Sequence, residues 1–184
     1  MGSDSELPFW LEGEPKPLSQ ADMKVTLFYQ VQPDYLKVMR IPLQRGRFLT
    51  PDDNEHSRLV TVIDERFAGL YFHNQDPIGK RINFELLGAG AEIVGVVGHV
   101  KQWGLDEDSA SPVQAQCYLA LSQLPEKFMP LTARSVAVAV RTASSPLAQV
   151  GSIREAMRQI NSQQVMYEAE TMEAISGTTV FADS

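Results

Sequence analysis

Polar and apolar positions alternate through Lys24–Val31, where Val25, Leu27, Tyr29 and Val31 share one face; a period of two predicts a strand. Residues 1–23 are polar and broken by Gly2, Pro8, Gly13, Pro15 and Pro17, so they read as tag and linker with a short extended piece at Phe9-Trp10-Leu11. Beyond the strand, Pro33 suits the first turn of a short helix that buries Tyr35, Leu36 and Met39 and stops before Pro42. Residues 43–49 predict a short strand, Thr50-Pro51-Asp52-Asp53-Asn54 a turn, and residues 59–63 a β-branched strand. Asp64 is placed to cap a helix running to Phe72, with Phe67, Leu70 and Tyr71 inward. Residues 81–87 alternate through Ile82, Phe84 and Leu86. Gly88-Ala89-Gly90 can then supply the positive φ angles of a hairpin, and residues 91–100 return as a mostly apolar strand covered on both faces.

The second half is less regular. Residues 101–114 read as a polar loop with Gly104, residues 116–121 as a short strand, and residues 122–133 as a loop with Pro125 and Pro130. Residues 134–141 predict a strand with Val136, Val138 and Val140 inward. Ser144-Ser145-Pro146 opens a helix in which Leu147, Val150, Ile153, Met157 and Ile160 recur at steps of three and four, while Arg154 and Arg158 in its second half complement the helix dipole. Residues 164–170 predict another strand and residues 171–176 the start of another helix. Segregated β runs with few helices give an α+β class with two lobes, a mostly β lobe over residues 24–105 and an α/β lobe over residues 106–184.

Composition narrows the function classes. At 43% hydrophobic and 21% charged, the 184 residues are those of a folded chain rather than a disordered one. Sixteen Lys and Arg against 23 Asp and Glu leave a net charge of −7 without a basic stripe, so no nucleic-acid partner is expected. The longest apolar runs, Ile93-Val94-Gly95-Val96-Val97 and Val136-Ala137-Val138-Ala139-Val140, fall far short of the ~20 residues that span a bilayer. The N-terminus lacks a charged start followed by an apolar core. The lone Cys117 excludes an internal disulfide and a multi-cysteine zinc site.

Candidate chemistry is sparse. Ile78-Gly79-Lys80-Arg81 superficially suggests a phosphate loop, but Asn74 stands where its first glycine belongs and Arg81 where the magnesium-binding hydroxyl belongs; a turn into a strand is the better reading. Gly88-Ala89-Gly90-Ala91 lacks the third glycine of a dinucleotide fingerprint and reads as a hairpin tip. The spacing of His56, His73 and His99 fits no local metal motif; the first two read as loop residues and His99 as a cap on a strand edge. Asp52-Asp53 and Asp106-Glu107-Asp108 could serve as acid and base or hold a cation, but without calcium-loop spacing they read as solvated loops. Cys117 reads as a small buried hydrophobe, and Trp10 and Trp103 as residues packed partly on the fold's own surface. No residue is assigned a catalytic, cofactor-binding or metal-ligating role.

An ordered series of short motifs carries more information than any of these. It runs Val31-Gln32-Pro33-Asp34-Tyr35-Leu36, Met39-Arg40-Ile41-Pro42-Leu43, Arg45-Gly46-Arg47-Phe48, Asp52-Asp53, and Val60-Thr61-Val62-Ile63-Asp64. It continues through Tyr71-Phe72, Asp76-Pro77-Ile78-Gly79-Lys80-Arg81, Glu92-Ile93-Val94-Gly95-Val96-Val97-Gly98, Val140-Arg141-Thr142 and Thr171-Met172-Glu173. In this order the chain resembles the MacB-like periplasmic core domain of bacterial ABC-transporter permeases of the FtsX/MacB type. The family commonly carries Asp after Val-Val-Gly, where this chain has His99.

The resemblance implies a non-enzymatic, extracytoplasmic segment of an inner-membrane permease, set between its first two membrane helices. It further implies a mostly β lobe of the Sabre type and an α/β porter-like lobe whose N-terminal part lies outside this sequence. No cofactor is implied. The implied partners are the rest of the permease with its membrane helices, a separate cytoplasmic ATPase subunit, and a periplasmic adaptor or second permease copy. In the mechanism expected on this basis, the lobes pass on motion from the membrane part, and loops 101–114 and 122–133 are where a rigid scaffold would carry binding. Two alternatives stay open: a soluble module binding a ligand in a groove between lobes, and a hydrolase whose site unites a histidine with a carboxylate or Cys117 only in three dimensions.

Overall fold

Seven segments form strands, and six of them place side chains in a common interior; the seventh, Leu43–Gly46, is exposed throughout. The computed structural model describes residues 5–73, 75–100, 113–132, 136–161, 169–172 and 174. In chain order the elements are β1 (Ser5–Leu11), β2 (Lys24–Val31), α1 (Tyr35–Val38), β3 (Leu43–Gly46), β4 (Val60–Asp64), α2 (Glu65–Phe72), β5 (Arg81–Phe84), β6 (Ala89–Val97), β7 (Gln116–Ala120), a helical turn α3 (Met129–Thr132) and α4 (Pro146–Ile160). The chain divides into two compact units, residues 1–100 with 109–139 and residues 101–108 with 140–184. The core is a sheet with helices added, an α+β fold.

In the first unit six strands close on themselves in the order β6-β4-β7-β2-β1-β5 and back to β6. β6 is nine residues long, and this length allows the closure. Its first half pairs with β5 and its second half with β3 along the same side, while β4 runs parallel on the other. A register shift between Thr61 and Val62 skips Val94, so Ala91 and Ile93 are followed inward by Val96. Closure leaves the ring without an open edge.

The interior receives side chains from every strand of the ring: Leu7 and Phe9, Phe28, Ile63, Ile82 and Phe84, Ala91 and Ile93, Cys117 and Leu119. Phe67, Ala68 and Phe72 of α2 join the same cluster. The opposite face carries a second core of Val31, Val60, Val62, Val97, Tyr118 and Ala120, covered by Leu36 of α1 and by Ile41 and Leu49. Gly46 and Gly95 allow the close crossing of β3 and β6: a Cβ would sit 2.2 Å from the Val94 carbonyl oxygen and 2.1 Å from that of Arg47, respectively.

Several expectations need correction. The polar N-terminal segment is not all linker: β1 pairs antiparallel with both β2 and β5, because Leu7 and Phe9 alternate inward despite Pro8 between them. β7 lies between β2 and β4 in this ring, so residues 116–120 pack with the first unit rather than with the α/β lobe drawn from the sequence. β2 buries Thr26, Leu27 and Phe28 in succession, since both its faces are covered and simple alternation is lost. The strand expected over 43–49 ends at Gly46. Leu70, expected inward on α2, is exposed because only the side bearing Phe67, Ala68 and Phe72 meets the barrel. The segment 122–133, read as a loop, includes helical turns at Glu126–Phe128 and at α3.

In the second unit, α4 begins with Pro146 at its first turn, as the sequence indicates, and none of its residues is buried. Residues 136–139 of the first unit and Val140 of the second form no strand, and Val136, Val138 and Val140 are exposed rather than inward. Their alternation gives extended structure only where a neighbouring strand takes up the backbone hydrogen bonds, and among the described residues none pairs with them. The strand expected at 164–170 falls largely outside the described residues. For the helix expected at 171–176, Thr171 accepts the Ala174 amide at 3.1 Å, a start consistent with the expectation.

Candidate functional site

Four elements converge where β4 gives way to α2. Asp64 ends the strand in extended conformation and caps the helix, its Oδ1 accepting the Phe67 amide at 2.8 Å. The same oxygen accepts the Gln116 amide at 3.1 Å, tying in the first residue of β7. Oδ2 lies 2.6 Å from His99 Nδ1, just past the end of β6. A carboxylate only accepts, so the imidazole Nδ1–H donates. Asp64 is fully buried and the His99 side chain is 7% exposed.

The cluster extends in two directions. The His99 amide donates to Glu65 Oε1 at 3.2 Å, and Gln44 of β3 donates to the other Glu65 oxygen at 2.5 Å. The Gln44 hydrogen bond, followed by the His99 amide, holds the Glu65 carboxyl below its ordinary pKa. On the other side, Gln116 Nε2 donates to the Val100 carbonyl at 2.6 Å, and Gln116 Oε1 accepts the Tyr118 hydroxyl at 2.9 Å. The Val100 amide also points to Gln116 Oε1 at 3.4 Å. Burial, ahead of the nearby Asp64 charge, pushes the Tyr118 hydroxyl up and keeps it a neutral donor.

This unites a histidine with a carboxylate, the geometric condition set for a hydrolase. The chemistry does not follow. Both Asp64 oxygens are engaged, its carboxylate is fully buried with His99 only 7% exposed beside it, and Cys117 is fully buried with its thiol driven upward by burial. A nucleophile needs a thiolate or an activated hydroxyl with access to substrate.

The other sequence candidates are dispersed. His56 lies exposed in a loop, its amide donating to Asn54. His73 is the left-handed C-cap of α2 at φ 40°. Asp52 is exposed, but Asp53 corrects the solvated-loop expectation: it is 5% exposed and binds Arg47 through both oxygens, at 2.7 and 2.9 Å. Asp53 also accepts the Thr50 amide at 2.7 Å. Burial alone would raise the Asp53 pKa, but these partners bring it below the ordinary value. Nothing in the sequence marks Asp53 apart from Asp52; only the return of the chain past Arg47 does. Gly79 and Gly88 adopt positive φ in turns, but the hairpin tip lies before the expected Gly88-Ala89-Gly90, since Ala89 and Gly90 already pair with β5. Trp10 lies on β1, partly buried beneath the Lys16 ammonium. Asp106-Glu107-Asp108 and Trp103 lie outside the described residues. Among the described residues, no group of three side chains could hold a metal ion.

A shallow depression of about 190 Å³ is lined by Asn54, Glu55, Leu59, Leu87, Gln123 and Pro125. Its polar floor is already satisfied: Gln123 accepts the Val60 amide at 3.1 Å and donates to Ser57 Oγ and the Arg58 carbonyl at 2.9 and 2.8 Å. No helix among the described residues is long and apolar enough to cross a membrane.

The fold has counterparts among solved structures. It superposes on the periplasmic region of MacB from Actinobacillus actinomycetemcomitans with a TM-score of 0.60 at 17% identity, covering 100% of this chain and 75% of that one. The extracellular domain of the noncanonic ABC-type transporter YknZ from Gram-positive bacteria gives 0.51 at 13% identity, covering 92% of this chain and 82% of that one. In sequence, the macrolide export ATP-binding/permease protein MacB of Aggregatibacter actinomycetemcomitans is 32% identical over 81 residues. That match spans 44% of this chain and only 12% of the relative's length. The model of the MacB-like periplasmic core domain matches residues 14–160, most of the sequence and the whole of the barrel's strands from β2 to β7. On this match the chain belongs to the family of MacB-like periplasmic core domains.

Proposed function

We propose that this chain is the extracytoplasmic domain of an ABC-type permease and that it makes or breaks no covalent bond. Its part is to pass conformational change between the membrane helices and a substrate or partner outside the membrane. One observation carries this: in this member of the family the strands form a closed barrel, a packed body able to hand on a displacement without deforming. The burial of Asp64, whose oxygens are already taken by Phe67, Gln116 and His99, supports the non-enzymatic part. The partners in this reading are the membrane helices of the same permease, an ATPase subunit on the cytoplasmic side, and an adaptor or second permease copy outside.

The test uses the full permease co-expressed with its ATPase. Deleting residues 101–114 is expected to abolish transport while ATP hydrolysis continues. Unchanged transport, or measurable turnover of ester or peptide substrates by the isolated 184-residue chain, would refute the proposal.

A further inference from the structure

His99 follows β6 and Gln116 opens β7, on either side of residues 101–112, and both are fastened to one buried carboxylate. Asp64 takes the Gln116 amide on one oxygen and the His99 imidazole on the other. The Gln116 side chain then bridges back to the Val100 backbone as a strand neighbour would, receiving its amide and donating to its carbonyl. Asp64 is also the N-cap of α2, so His99, Gln116 and the helix share one fixed point. By contrast, Val136, Val138 and Val140, further along, are exposed and outside any strand.

We propose that Asp64, His99 and Gln116 form a latch that makes the two ends flanking residues 101–112 a single rigid stem on α2 and the barrel. This inference rests on the domain's proposed part in transmitting motion, and gives that transmission a place. Force applied to an untethered chain end is lost in local backbone rearrangement. Force applied to an end held by a buried, charge-assisted hydrogen bond moves the body to which it is held. His99 is a positioning residue here, acting through Asp64.

The experiment compares two substitutions. His99→Leu keeps bulk but removes the donor; His99→Asn keeps an N–H close to the place of Nδ1. In the 184-residue chain, amide exchange at Phe67 and Gln116, both donors to Asp64, is expected to rise roughly 10- to 100-fold in His99→Leu, the range implied by losing a hydrogen bond to a charged group. Exchange in the β1–β2 ladder should not change, and His99→Asn should exchange within about threefold of wild type. Equal exchange in all three proteins overturns the latch. So does a uniform rise across the barrel, or an Asn variant that behaves like the Leu variant. In the full permease with its ATPase, His99→Leu is expected to lower transport per ATP about tenfold, with His99→Asn restoring it. Local loosening without loss of transport refutes the coupling role while leaving the permease-domain proposal intact. Loss of the domain proposal itself would appear separately, as unchanged transport after deletion of residues 101–114.

Discussion

Phe9 tests whether the N-terminal segment closes the barrel or merely precedes it. Its side chain is fully buried, with ring centroids 5.0 Å from Phe67 and 5.1 Å from Tyr71, and its backbone faces Phe84 of β5. Truncating a buried Phe costs about 3–5 kcal/mol from lost transfer energy and the cavity left behind. With two aromatic neighbours lost as well, Phe9→Ala is expected to cost at least about 4 kcal/mol. A domain of ordinary stability has about 5–15 kcal/mol in total, so the loss should be plain in a urea titration followed by circular dichroism. Trp10, the next residue on β1, faces the other way and is only partly buried, so Trp10→Ala should cost less than about 1.5 kcal/mol. Should Phe9→Ala fail to fold, Phe9→Leu keeps most of the volume and should cost about 1–1.5 kcal/mol. A cost below about 1 kcal/mol for Phe9→Ala, or a larger cost for Trp10→Ala, would show that β1 does not occupy the barrel in this register.

Other consequences follow from the same packing. Because the folded-state pKa of Asp53 is depressed, its contribution is fully present above the ordinary carboxylate range and is lost as pH falls through the lowered value. Urea midpoints between about pH 5 and pH 2 should therefore fall more steeply for wild type than for Asp53→Asn; parallel slopes would contradict the buried ion pair. Arg47→Ala leaves that carboxylate without its bidentate partner and should cost about 1–3 kcal/mol at neutral pH, read by the same titration. Cys117, buried and held as a thiol, should react with a maleimide at least about 100-fold more slowly in the native chain than in 6 M guanidinium; rapid native labelling would place it elsewhere. Gly95→Ala forces a Cβ to 2.1 Å from the Arg47 carbonyl oxygen and should cost more than about 2 kcal/mol, or separate β3 from β6, in thermal melts.

The amino-acid sequence by itself determined the local elements whose signals are local. Asp64 followed by Phe67 and Phe72 specifies a capped helix, Ile82 and Phe84 before Gly88 specify one arm of a hairpin, and Pro146 opens α4. The ordered short motifs specified the family, because their spacing is a property of the chain alone. Closure of the barrel was decided elsewhere. Leu7 and Phe9 look like stray apolar residues in a polar, proline-broken segment until β2 and β5 flank them, since a strand's hydrogen bonds are supplied by partners distant in sequence. Val136, Val138 and Val140 show the converse: an ideal alternation without a described neighbour remains exposed. In the sequence Asp53 reads only as half of a solvated turn pair and Asp64 only as a helix cap. Tertiary structure made one the partner of Arg47 and the other the anchor of His99 and Gln116, because burial of a carboxylate is tolerated only where folding brings donors to it.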